Sequence, residues 1–154
     1  MSCVCMIAAD HPLPLQEPQA RRTQTVQAEG RTITLEEDGF SVQPHKYYRP
    51  AVEELDLAMK PYQYELDLRA TEEDAAQLCA YLRENCAPGE QVELWALWVG
   101  DGGGKVHRYR GKLSEFDLDT LEMLCETQWE PDLTGEFDNL ICQVCVTVEL
   151  DLPG

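Results

Sequence analysis

The stretch Val92–Leu113, "VELWALWVGDGGGKVHRYRGKL", decides how this chain is folded. Its first part is apolar at odd and even positions alike, with Trp95, Leu97 and Val99 on one strand face and Leu94, Ala96 and Trp98 on the other. Successive strand side chains point to opposite sides, so a strand of this kind needs both of its faces covered. Its last part alternates, placing Arg108, Arg110 and Lys112 on one face. The glycines between them either cradle a phosphate or turn one strand into the next. A Walker-A loop aligned on Gly104-Lys105 would need glycine at 99 and a hydroxyl at 106, and both positions are valine. A dinucleotide loop starting at Gly100 and Gly102 would need glycine at 105, where Lys105 stands. Both loops also require a helix to follow, and Val106–Leu113 reads as a strand. Gly100–Gly104 is therefore expected to be a hairpin connection.

Working outward, "YQYELDLR" (62–69) sets Tyr62, Tyr64, Leu66 and Leu68 on one face and Gln63, Glu65, Asp67 and Arg69 on the other, the pattern of a half-buried strand. Thr71 then caps a helix, with Asp74 at the capping-box position, that buries Ala75, Leu78, Cys79, Leu82 and Cys86 and stops before Pro88-Gly89. After the two central strands come a helix, "DLDTLEMLCETQ" (117–128), and a last strand, "LICQVCVTVEL" (140–150). The order β-α-β-β-α-β over 61–151 is that of a ferredoxin-like core, with expected strand order 4-1-3-2. That order sets Arg108, Arg110 and Lys112 opposite Glu65 and Asp67, and makes Val92–Val99 an edge. An apolar edge invites aggregation, so the equally apolar "CVCMIAA" (3–9) is expected to pair with it, making five strands.

In residues 10–60, three prolines mark a surface connection over 10–22. A hairpin turns at Glu29-Gly30, and a short helix, "PAVEELDLAM" (50–59), carries Val52, Leu55 and Met59 on one side. The 23–59 insertion is expected to shield the second sheet face. The fold class expected is thus α+β: a two-layer sandwich in one domain, 1–154, with an N-terminal part (1–60) and the core (61–151). A chain of this length buries roughly 70% of its unfolded surface and needs no cross-links.

Charge separates the two ends of the chain. The net charge is -17, from 29 acids and 12 Lys plus Arg. Residues 113–154 hold 11 of those acids and neither Lys nor Arg, whereas residues 1–112 hold 18 acids against all 12 bases. Such a balance argues against binding a nucleic-acid backbone or an anionic membrane. No segment approaches the ~18 apolar residues of a membrane span. "MSCVCMIAADHP" lacks a basic export region, and the seven cysteines are odd in number, so a reducing cytoplasm is expected.

The thiols themselves point away from metal. "ICQVCVTV" is rich in β-branched residues and should stay extended, sending Cys142 and Cys145 to opposite faces. Cys3 and Cys5 share a face but gain no third ligand, so buried apolar thiols are expected, with no metal and no cofactor. His11, His45 and His107 lie in no nucleophile motif, and Asp117-x-Asp119 offers too few oxygens for calcium. Trp95 and Trp98 point to opposite faces and form no common stacking platform.

The feature with most to say about function is a run of carboxylates. Glu115, Asp119, Glu122 and Glu126 follow spacings of four, three and four, one stripe of a helix, and Glu130 continues the charge into the next loop. Like charges at that spacing destabilise a helix by ~0.2–0.5 kcal/mol per pair. The stripe is expected to be either a solubilising face or a docking face for a basic macromolecular partner, as in an inhibitor, an immunity protein or a nucleic-acid mimic. A non-catalytic binding role is the leading expectation. The alternative is a small-ligand or enzymatic site, near the Gly100–Gly104 hairpin or under the 23–59 insertion.

Five short runs, "MSCVCMIAADHPLPL", "FSV", "KPYQYEL", "CAYLREN" and "VELWALWVGD", resemble a group of small bacterial proteins of no assigned activity. In that group a glycine- and cysteine-rich segment follows the Lys-Pro-Tyr position; here "ELDLRATEED" stands there, so no cysteine role carries over. The resemblance implies a bacterial cytosolic protein and no activity.

Overall fold

The computed structural model describes residues 2–19, 21–99, 106–126, 129–131, 139–141 and 143–151, with side chains except at 2, 126, 129–131 and 139–141. Its strands are β1 (Ser2–Ala9), β2 (Arg21–Ala28), β3 (Arg31–Asp38), β4 (Ser41–Pro44), β5 (Tyr62–Asp67), β6 (Gln91–Val99), β7 (Val106–Lys112), β8 (Trp129–Pro131), β9 (Asn139–Ile141) and β10 (Gln143–Glu149). The helices are α1 (Arg49–Glu53), α2 (Glu72–Asn85) and α3 (Leu118–Glu126). Six strands form one mixed sheet in the order β4-β5-β1-β6-β10-β7, antiparallel except for β10 with β7. β2 pairs with β3, and β8 with β9, as separate ribbons.

The elements from β5 to β10 follow the expected order along the chain, but the strand order is not 4-1-3-2. β5 lies between β4 and β1, so it never meets β7. Apolar character sorts the strands. β1 and β6 are mostly apolar on both faces, and β10 is buried at each position from Gln143 to Val146; these three take the centre, while β5 and β7 each carry a polar face and lie outside them. Val92–Val99 is therefore central, flanked by β1 (Cys5↔Ala96) and β10 (Val144↔Ala96). The expected pairing of the Cys3–Ala9 strand with it is present. The edges are protected as edges usually are: β4 is four residues long, and β7 carries Arg108, Arg110 and Lys112.

Both helical crossovers lie on one face. β5-α2-β6 steps across the sheet one way between parallel strands, and β7-α3-β10 steps back between a parallel pair that runs opposite to them. A single crossover handedness then puts both helices on the same side. There Ile7, Leu66, Leu94, Val144 and Val146 pack against Leu78 and Leu82 of α2 and Leu121 and Leu124 of α3. The cap on α2 is as expected, with Thr71 Oγ1 accepting from Asp74 N at 3.1 Å.

On the second face, Val4, Met6, Ala8, Trp95, Leu97, Val99 and Cys145 are covered by Val52, Leu55, Leu57 and Met59. Only part of the 23–59 insertion thus shields this face. The expected helix over 50–59 ends early: Glu54 is its C-cap and Asp56 takes a left-handed φ of 51°. Leu55 lies in the turn that closes the helix, its N–H donating to Val52 O at 3.0 Å, and Leu57 and Met59 follow the bend outside any helix or strand. The β2-β3 ribbon is exposed along its length except at Arg22, and leaves Val26, Ile33 and Leu35 exposed.

Candidate functional site

The acidic stripe divides once it is folded. Asp117 Oδ1 accepts from Thr120 N at 3.0 Å and Thr120 Oγ1 at 3.2 Å, capping α3 at Leu118. Glu115 therefore lies in a 3₁₀ turn before the helix (Leu113–Glu115), not on its stripe. It lines a cleft of about 230 Å³ together with Arg110 and Lys112. Asp119 and Glu122 lie three apart on α3 and remain one face. Glu126 ends α3 and Glu130 lies in β8, and the side chains of both fall outside the described residues.

Asp119 belongs to a groove between the starts of α2 and α3. About 460 Å³ is lined by Glu72, Asp117 and Asp119 at the rim and by Ala75, Ala76, Cys79, Phe116 and Leu118 along the floor. No Lys or Arg lines it. Among the described residues, no ion pair reaches Glu72, Glu115, Asp117, Asp119 or Glu122. Sequence spacing could not have supplied Glu72, which comes from the other helix.

The expected partners of the basic strand are taken elsewhere. Glu65 Oε2 lies 3.0 Å from His45 Nδ1 and accepts from Tyr48 N at 3.2 Å. Asp67 Oδ1 accepts from Arg22 Nη2 at 3.2 Å. Arg108 lies over the buried Trp95 ring, 5.4 Å from its centroid. The His45–Glu65 pair is nearly closed to solvent, and His45 Nε2 has no partner among the described residues.

Of the two places expected for a ligand, Gly100–Gly104 lies outside the described residues. The other, at the base of the β2-β3 ribbon, is a cleft of about 460 Å³ lined by Arg22, Leu35, Glu37, Arg69 and Thr71. Its cations are already engaged: Arg69 Nη1 is 2.7 Å from Glu37 Oε1, and Arg22 Nη2 is 2.5 Å from Asp74 Oδ2.

Two thiol arrangements were not legible in the sequence. Cys125, in the last turn of α3, reaches Cys5, giving Cys3 and Cys5 the third sulfur that spacing along the chain denied them. These sulfur contacts, with burial behind them, push the Cys5 thiol well above its ordinary pKa. Cys145 is buried on the second face, while Cys142 lies outside the described residues. Separately, His11, Cys86 and Glu90 bring one ligand atom each to within 4.8 Å of one another.

No family model matches this chain, and no curated protein or solved structure is significantly similar to it. Among the described residues no helix is long and apolar enough to cross a membrane.

Proposed function

We propose that this is a non-catalytic acidic protein of the cytoplasm that binds a basic macromolecular partner along the α2/α3 groove. The observation that carries the reading is the groove itself, where Glu72, Asp117 and Asp119 border an apolar floor with no cation among its lining. Carboxylates that no cation neutralises speed the encounter with a basic segment, and the apolar floor adds burial once it docks. Phe116 and Leu118 are half-exposed there and supply that apolar contact. The cytoplasmic assignment is supported by the thiols of Cys79, Cys86 and Cys145, none of which is in a disulfide.

The test is the triple variant Glu72→Lys, Asp119→Lys, Glu122→Lys. Wild-type protein, immobilised at low salt, should retain a basic protein from its own cytosol, and mass spectrometry should identify it. The variant should associate at least ~10-fold more slowly with that partner, and the difference should shrink as salt is raised. Retention of no basic protein by the wild type, or equal association by the variant, overturns the reading.

A further inference from the structure

We propose that His11, Cys86 and Glu90 form a three-ligand site for a zinc-like divalent cation, with the fourth corner open to solvent. The three residues come from separate anchored positions. Cys86 is the C-cap of α2, its N–H donating to Leu82 O at 3.0 Å. Glu90 closes the turn that follows: its N–H donates to Ala87 O at 3.1 Å, and its carbonyl accepts from Leu150 N at 2.9 Å. His11 follows β1, beside a segment held where Leu13 N donates to Tyr64 Oη at 2.9 Å. A site whose ligands sit on fixed backbone is already organised for its ion.

The imidazole is oriented as a ligand would be. Its Nδ1 lies 3.0 Å from Pro12 O, which can only accept, so Nδ1 carries the hydrogen. This is the outer hydrogen bond that metal-bound histidines characteristically make, and it turns Nε2 towards the site. Nε2 lies 2.6 Å from Glu90 Oε2. At that distance the two atoms share a proton, and a metal ion taking its place requires them to move apart. The Cys86 sulfur, within 4.8 Å of both, adds a soft donor that a proton bridge does not require.

Size and chemistry agree with zinc. Bond lengths near 2.3 Å to sulfur and 2.0–2.2 Å to nitrogen and oxygen give about 3.3–3.8 Å between ligand atoms in a tetrahedron. The His11–Glu90 gap must widen by under about 1 Å, and the thiol must approach by about as much. His11 and Glu90 are 35% and 36% exposed and free to part, and Cys86 is itself only partly buried. A thiolate, an imidazole and one carboxylate suit zinc or cobalt and not magnesium or calcium, which prefer oxygen alone. Three protein ligands leave a position for water or another small ligand.

The experiment is titration of the full chain, reduced and stripped of metal, with Co²⁺ as a spectroscopic stand-in. At one equivalent, a thiolate-to-cobalt charge-transfer band should appear in the near ultraviolet, with the strong visible bands of tetrahedral cobalt, and Zn²⁺ should bleach both. Cys86→Ser should abolish the charge-transfer band. His11→Ala and Glu90→Gln, at half-exposed positions where folding is safe, should each weaken binding at least ~10-fold. Cys5→Ser should leave the spectrum unchanged, which separates this site from the sulfurs around Cys5. The assignment is overturned if no thiolate band forms, if it survives in Cys86→Ser, if it disappears in Cys5→Ser, or if neither His11→Ala nor Glu90→Gln weakens binding.

Discussion

Arg22 Nη2 lies 2.5 Å from Asp74 Oδ2, and Asp74 is only 1% exposed. Arg22 Nε is 3.2 Å from the same oxygen, Nη1 donates to Asp38 O at 2.7 Å, and Arg69 N donates to Asp74 Oδ2 at 2.9 Å. One guanidinium thus ties both strands of the β2-β3 ribbon to the start of α2. Arg22→Ala leaves a buried carboxylate without its cation and should destabilise the protein by about 3–5 kcal/mol. Asp74→Ala should cost less than the sum of the two would suggest when combined with it, the coupling being ~1–3 kcal/mol in a denaturant double-mutant cycle. Independent, additive losses would mean that the ribbon is anchored by something else.

The position of β1 makes a second prediction. A ferredoxin-like core over 61–151 would carry its own sheet, but here β1 separates β5 from β6 and pairs with both. A fragment of residues 61–154 loses the strand that joins its two halves, as well as Val52, Leu55, Leu57 and Met59 from the second face. It should show no cooperative thermal transition by circular dichroism, whereas the whole chain should melt as a unit. Cooperative melting of the fragment would contradict the observed strand order.

What could be read from the residues, and what could not, follows from the range of the signal. Strand and helix periodicity is local, so Leu66, Leu78, Leu82 and Val144 were legible as core, and so was the cap at Thr71. The need of Val92–Val99 for a neighbour was legible too, because an apolar strand declares that both its faces are covered. Strand order is a competition among whole strands for the centre of the sheet, and no single stretch reports its outcome. β4 escaped notice because four residues, two of them polar, give too short an alternation. Glu72 beside Asp119, and His11 beside Cys86 and Glu90, are meetings of distant segments, and no spacing along the chain records them.

α3 offers a test that separates stability from binding. Asp119 and Glu122 are like charges three residues apart, with no basic residue in the helix's last turn. Glu122→Lys turns that repulsion into an attraction and places a cation in the second half of the helix. It should stabilise the protein by ~0.2–0.5 kcal/mol, seen as a higher denaturant midpoint, while weakening capture of the basic partner. A residue kept only for solubility should show the first effect without the second. A lower midpoint would mean that Glu122 makes a structural contact.

Cys145 gives a prediction in pH. It is buried between Trp95 and Arg108, its partners in register on β6 and β7. Burial first, and then the nearby Glu93 charge, pushes its thiol up from 9.0 to about 11. The fold therefore holds a proton that the unfolded chain gives up sooner. Such a group stabilises the native state fully below its unfolded pKa, and that contribution is lost as pH rises through the folded value. Stability measured in denaturant should fall between about pH 9 and 11, and Cys145→Ala should flatten part of that fall despite the small cavity it leaves. Reaction of Cys145 with a disulfide reagent at pH 8 should be slow in the native protein and fast after unfolding. Rapid native labelling of Cys145 would show that the second face opens far more often than its packing implies.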